Sequence, residues 1–211
     1  MVTSIAVYVE GGGPTSATKD PFRRGFSTFL APLVQQMKKR SIRWRLVVCG
    51  GRQEAYDKFR DALRTEPGVL NLLLVDSEEP VAITVGPWNH LKVRVGDFWK
   101  KPSGAKDMHC QMMVACMEGW FLADPDALKK HFGGNFDVTK LPPANQAETR
   151  TKSIIADALR QATVSTKAKK YEKIRDGARL LEKVDPTVVR RHCKWCDRLF
   201  VTVATAMETT V

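Results

Sequence analysis

Three acids in this chain stand where chemistry is done. Leu72-Leu73-Leu74-Val75 runs without a break into Asp76-Ser77-Glu78-Glu79-Pro80. An unbroken apolar run closed by polar residues and Pro reads as a fully buried, parallel strand. In an open α/β sheet, ligands gather at the carboxyl ends of such strands. Asp76 and Glu78 therefore sit where the chain leaves the sheet. A second strand, Ser4-Ile5-Ala6-Val7-Tyr8-Val9, ends in Glu10-Gly11-Gly12-Gly13. If the two strands are neighbours, Glu10, Asp76 and Glu78 meet at one edge. Three carboxylates repel one another unless a cation sits among them. Hard oxygen donors suit Mg or Mn. The plainer alternative is that Glu10 and Glu78 are solvated loop acids. Arg52 stands at the exit of a further strand and joins the same edge.

The elements that must position these acids follow in order. Phe22 to Lys39 reads as a helix with Phe26, Phe29, Leu30, Leu33 and Met37 on one stripe, weakened by Pro32. Trp44 to Cys49 is a strand, Gln53 to Leu63 a helix, and Leu70 to Val75 the acid-tipped strand. This strand-helix alternation predicts an α/β layer with a mostly parallel sheet. Val81 to Val85 reads as a short strand, and the alternation Leu91-Lys92-Val93-Arg94-Val95 as another. On that reading Lys92 and Arg94, with Lys100 and Lys101, are phosphate-contact candidates. Met108 to Leu122 is apolar on most sides and predicts a buried helix, inside which Glu118 needs a partner. Asp124-Pro125 and Asp185-Pro186 each open a helix, the acid as cap and Pro in the first turn. Residues 152 to 162, Thr166 to Val184 and Thr187 to Met207 read as the last helices. The expected organisation is an α/β core over residues 1–105 and a helical elaboration over 106–211, packed as one unit.

Charge and composition narrow the function. The 211 residues carry a formal net charge of +11. Residues 150–198 hold 14 Lys or Arg against 6 Asp or Glu. A basic end joined to an acidic edge points to a polyanion such as nucleic acid. Lys167, Lys169, Lys170, Lys173, Arg190 and Arg191 are the expected contacts, and a solvated helix surface is the alternative. No apolar run approaches a membrane span, and the first residues do not read as a signal peptide, so a cytoplasmic protein without membrane contact is expected. Five cysteines suggest reduced thiols. Cys193-Lys194-Trp195-Cys196 is a lone CxxC with His192 beside it, which fits buried thiols better than zinc.

Val9-Glu10-Gly11-Gly12-Gly13, Cys49-Gly50-Gly51-Arg52 and Met117-Glu118-Gly119-Trp120-Phe121-Leu122-Ala123-Asp124-Pro125 carry a resemblance. With Asp185-Pro186 and Arg198-Leu199-Phe200, they resemble a bacterial family of unknown-function proteins with a Toprim-like domain. Members are often encoded beside ATPases and are associated with mobile elements or phage defence. The resemblance implies a Toprim-like core in which Glu10 and the pair Asp76 and Glu78 hold Mg. The last acid is Glu where Toprim domains carry Asp, and the usual second acid after the first-strand Glu is missing. No tyrosine matches a topoisomerase nucleophile. The implied activity is Mg- or Mn-dependent phosphodiester chemistry of a nuclease type, with Arg52, Arg94 and Lys92 offsetting phosphate charge. The alternative is a non-catalytic subunit that binds nucleic acid or an ATPase encoded nearby.

Overall fold

A computed structural model describes residues 2–168 and 170–208. Its centre is a sheet of four parallel strands among the described residues: β1 (Ser4–Glu10), β2 (Arg43–Gly50), β3 (Leu70–Asp76) and β4 (Cys110–Met113), in the order β2-β1-β3-β4. Val9 lies opposite both Val48 and Leu74, so the ends of β1, β2 and β3 are level. The chain first moves outward from β1 to β2, then crosses back to place β3 on the other side of β1. The crevice between β1 and β3 is thus a topological switch point, where ligands bind in open α/β sheets.

Alternation along the strands divides the core. Ile5, Val7, Val9, Leu70, Leu72 and Leu74 face one layer, and Ala6, Tyr8, Leu73 and Val75 face the other. The first layer holds α1 (Ser16–Phe29), α2 (Ala31–Lys39), α5 (Glu118–Leu122), α6 (Pro125–Phe132), α7 (Lys152–Thr163), α8 (Lys173–Leu181), α9 (Pro186–His192) and α10 (Lys194–Glu208). The second layer holds α3 (Arg52–Thr65) and α4 (Pro87–Val93). β3 is buried along its whole length, as its unbroken apolar run requires.

Several elements differ from the sequence reading. The helix expected over 22–39 is two, broken at Leu30, because Pro32 favours the first turn of a new helix. Residues 81–85 form no strand. The strand expected over 91–95 is the end of α4. Gly86-Pro87 opens that helix, Trp88 and Leu91 face the core three residues apart, and Val93 and Val95 are 71% and 81% exposed. The alternation was therefore not one buried face. The helix expected over 108–122 is a single turn (Asp107–His109), then β4, then α5. An apolar stretch buried on every side has no period that separates strand from helix. The sheet accordingly takes its fourth strand from beyond residue 105. The helix expected over 166–184 is confined to α8, and the one over 187–207 is divided at Cys193. Asp124 and Asp185 cap α6 and α9 as anticipated, accepting from Ala127 N–H and Thr187 N–H. No helix among the described residues is long and apolar enough to cross a membrane.

Candidate functional site

Glu10 ends β1, Asp76 ends β3, and Glu78 lies two residues on. One carboxylate oxygen from each lies within 4.8 Å of the other two. The backbone builds this arrangement. At Gly11 and Gly12 φ is +120° and +82°, and an added Cβ would fall 2.4 Å from the Phe22 ring or 2.6 Å from Val48 Cγ1. Only glycine allows the turn after Glu10 to lie so close to α1. Ser77 N–H donates to Met113 O and Glu78 N–H to Ala115 O, which ties the acid loop to the exit of β4. His90 Nε2 donates to Ser77 O at 2.8 Å. Glu78 itself has φ +71°, a left-handed conformation uncommon for a residue with a side chain. Such strain persists where the surroundings impose it, and it collects at functional sites.

Hydrogen bonds aim the carboxylates. Glu10 Oε2 accepts from Asp76 N–H at 3.2 Å, and Asp76 Oδ1 accepts from Met117 N–H at 3.0 Å. Burial, then the nearby Glu10 charge, push the Asp76 carboxyl up to about 7, against the pull of Lys152.

Cations close the cluster from two sides. Arg52 donates from Nε and Nη2 to both oxygens of Asp97 (2.7 and 2.6 Å) and from Nη1 to Glu10 Oε2 (2.9 Å) and the Asp76 carbonyl. Its guanidinium lies 5.0 Å from the Trp99 ring centroid. Arg94 pairs with Asp97 at 3.0 Å and with Glu78 at 3.8 Å. From the other side, Lys152 Nζ lies 3.1 Å from Asp76 Oδ2 and 2.7 Å from Glu78 Oε2. Burial alone would lower the Lys152 ammonium, but Asp76 and Glu78 outweigh it and raise it. Next to it, Lys173 Nζ pairs with Glu118 Oε1 at 3.0 Å, and Tyr171 OH donates to the same carboxylate at 3.3 Å. Burial would raise Glu118, yet Lys173 holds it below the usual carboxylate range. That is the partner the buried acid required.

A family model described as Domain of unknown function (DUF4276) matches residues 9–204. The chain belongs to that family. No curated protein and no solved structure matches it. In this DUF4276 member, the matched span starts one residue before Glu10 and takes in every side chain of the cluster.

Of the sequence-derived candidates, Glu10, Asp76, Glu78, Arg52 and Arg94 come together. Lys92 stays exposed on α4 and forms no ion pair with the cluster among the described residues. The sequence reading missed Lys152 and Asp97. Lys152 had a signal: it is the first residue of α7, where the helix dipole disfavours a cation. A lysine at that position calls for an acid from elsewhere. Asp97 is nearly buried, with 2% of its side chain exposed, and follows Gly96 in an irregular loop that has no comparable signature.

The expected basic surface is divided. Lys173 turns into the site, Arg190 pairs with Asp197 at 2.8 Å, Lys167, Lys170 and Arg191 are exposed, and Lys169 lies outside the described residues. All five cysteines are free and buried. Cys193 ends α9 and Cys196 lies within α10. Among the described residues, Glu10, Asp76 and Glu78 are the one group with donor atoms close enough to hold a metal.

Proposed function

We propose that the carboxylate cluster is a divalent-cation site for phosphodiester chemistry on nucleic acid, in a Toprim-like arrangement of one acid after the first strand and two after the third. The observation that carries this reading is the convergence of Glu10, Asp76 and Glu78 within 4.8 Å at the switch point of a parallel sheet. The donor set fits Mg or Mn, since all three ligands are hard oxygens. Lys152 pairs with Asp76 and Glu78, so a metal bound there has to displace its ammonium. A divalent ion held there would polarise a phosphoryl oxygen and stabilise charge in the transition state.

The chain's own groups supply the rest. Arg52 holds Glu10 in place while Asp97 holds Arg52. Lys152, freed from Asp76 and Glu78 when a metal takes them, is within reach of a phosphate bound at the same acids. Lys173 lies beside it and adds positive charge. As an alternative to binding the cation, Glu10 accepts a proton from attacking water.

Cleavage of labelled DNA and RNA with Mg or Mn tests the reading. Asp76→Asn and Glu10→Gln should reduce cleavage to background while leaving binding within a few-fold, since the cation acts mainly in the transition state. Full cleavage by both variants would remove the assignment.

One observation favours a second reading. Lys152 already neutralises Asp76 and Glu78, as a residue would in a centre that has lost its metal. The protein would then be a non-catalytic subunit binding nucleic acid or an ATPase. Absence of cleavage with either metal, with and without any ATPase encoded nearby, would favour it.

A further inference from the structure

The acid cluster opens into a cleft of about 420 Å³ that the phosphodiester reading leaves without an occupant. Glu10, Asp76 and Lys173 line its inner end. Its walls are apolar. Pro14, Ala17 and Phe22 come from the glycine turn and α1, while Met117, Ile174 and Ala178 come from the opposite side. α1 and α8 approach each other closely nearby, since a Cβ on Gly25 would lie 2.8 Å from Ala178 O. At the rim, Ile174 is 82% exposed, an unusual position for a large aliphatic side chain. The volume is within the range of about 300–1,000 Å³ typical of small-molecule sites.

We propose that this cleft receives an unpaired nucleobase, so that the substrate is a nucleotide unit released from a duplex. The inference rests on the phosphodiester reading for the phosphate at Asp76, and it adds the class of substrate. A phosphate held at the acids places its nucleoside a few ångströms away, and the cleft begins on those same acids. Flat base faces suit a wall made of an aromatic ring, a thioether and an aliphatic rim. A base within a duplex is stacked on both faces and paired along its edge, so it enters such a cleft only when flipped, frayed or single-stranded. Lys173 lines the cleft, and Lys152 pairs with Asp76 at its end, so positive charge for an anionic linkage stands beside the apolar walls.

The test is binding of the full chain with Ca in place of Mg or Mn, read before any cleavage, so that a hard cation is present to hold the phosphate at the acids. The probes are a 12-nucleotide single strand with a central 2-aminopurine, the same strand with an abasic site, the matching duplex, and the free nucleoside monophosphate. The single strand should bind at least about tenfold tighter than the abasic strand or the duplex. Ala17→Trp, which fills the cleft from an exposed helix position, and Ile174→Asp, at the exposed rim, should each remove that preference and leave duplex binding unchanged. Circular dichroism and thermal melts verify that both variants fold. A free nucleotide that binds as tightly as the strand also supports the proposal and assigns the source as a mononucleotide. Equal binding of single strand, abasic strand and duplex overturns it, even where Mg-dependent cleavage is observed. Base-dependent binding with no cleavage under any metal leaves the cleft assigned and defeats the phosphodiester reading instead.

Discussion

Arg52 and Lys152 neutralise the same acidic edge from opposite sides, and the way each is held sets them apart. Arg52 spends a planar fork on Asp97, a third contact on Glu10, a fourth on the Asp76 carbonyl, and rests on Trp99. Its position is overdetermined, as bidentate and stacked arginines are. Lys152 reaches Asp76 and Glu78 with a single ammonium on a flexible stem, and a third of its side chain is exposed. Equal charges thus have unequal roles. The arginine is framework, and the lysine is the more loosely held counterion.

The comparison breaks first at Arg52. Arg52→Ala leaves Asp97 and Glu10 buried or half-buried without their main partner, and removing one member of such a network costs roughly 3–5 kcal/mol. Urea unfolding should show that loss. Arg52→Lys should recover less than half, because an ammonium cannot span both Asp97 oxygens and Glu10 together. A variant within about 0.5 kcal/mol of the parent would mean that Arg52 is not framework.

Lys152 should behave in the opposite way. Lys152→Met keeps the aliphatic stem and removes the charge that competes with a metal. Calorimetric titration should show Mn affinity rising tenfold or more, about 1.4 kcal/mol, while stability without metal falls far less than in Arg52→Ala. Unchanged Mn affinity would show that the lysine does not occupy the cation's place. Loss of cleavage alongside tighter binding would further assign Lys152 to the phosphate.

The contrast between these two residues also explains what could be read from the sequence. Glu10 and Asp76 end their strands and Arg52 opens the helix just after β2, and strand ends converge by topology, so their meeting was legible. The apolar run of β3 and the glycines after Glu10 carried the same message. Lys152 arrives from a helix 76 residues beyond Asp76; its place at the start of α7 signals that it wants an acid, but which acid is set by tertiary packing. The β4 segment was misread for a related reason: when all sides of a segment are buried, hydrophobic periodicity vanishes. The alternation of Leu91, Val93 and Val95 misled because two of its three apolar residues face solvent. The CxxC thiols are buried as expected, but Cys193 caps α9 and Cys196 lies in α10 rather than both on one helix.

The lysine's incomplete neutralisation of Asp76 has a pH signature. Burial and Glu10 raise the Asp76 carboxyl from its ordinary 3.8 to about 7. Between those values the folded chain holds a proton that the unfolded chain has lost. Stability therefore falls as pH rises through that window and levels above it. Glu148, half-buried where its carboxylate accepts from Trp195 N–H at the start of α10, is likewise raised by desolvation from 4.5 to about 7 and adds a slope of the same sign. Urea midpoints at pH 5 and pH 8 measure the sum. His109 and His131, lowered mainly by burial, add a slope of the opposite sign, so the decisive measurement is the difference from the parent: Asp76→Asn and Glu148→Gln should each make the slope less negative, and a variant with the parent's slope would contradict the shift at that residue.

The smallest effect separates Lys92 from Arg94, two cations two residues apart. α4 ends between them, so Arg94 turns back to Asp97 and Glu78 while Lys92 remains on the solvent side of the helix. Arg94→Ala removes one of the two arginines on buried Asp97 and loosens Glu78, the acid already held in a left-handed backbone. It should lower both stability and metal affinity, by less than Arg52→Ala because Asp97 keeps its bidentate partner. Lys92→Ala should change stability by under about 0.5 kcal/mol, as exposed substitutions do. Its effect on nucleic-acid binding should be confined to the salt dependence expected of one phosphate contact, a slope reduced by about one at most. Cleavage rates for the pair decide the matter: a loss of turnover in Lys92→Ala equal to that in Arg94→Ala would return Lys92 to the site, and would require α4 to rotate that side chain inward when substrate is bound.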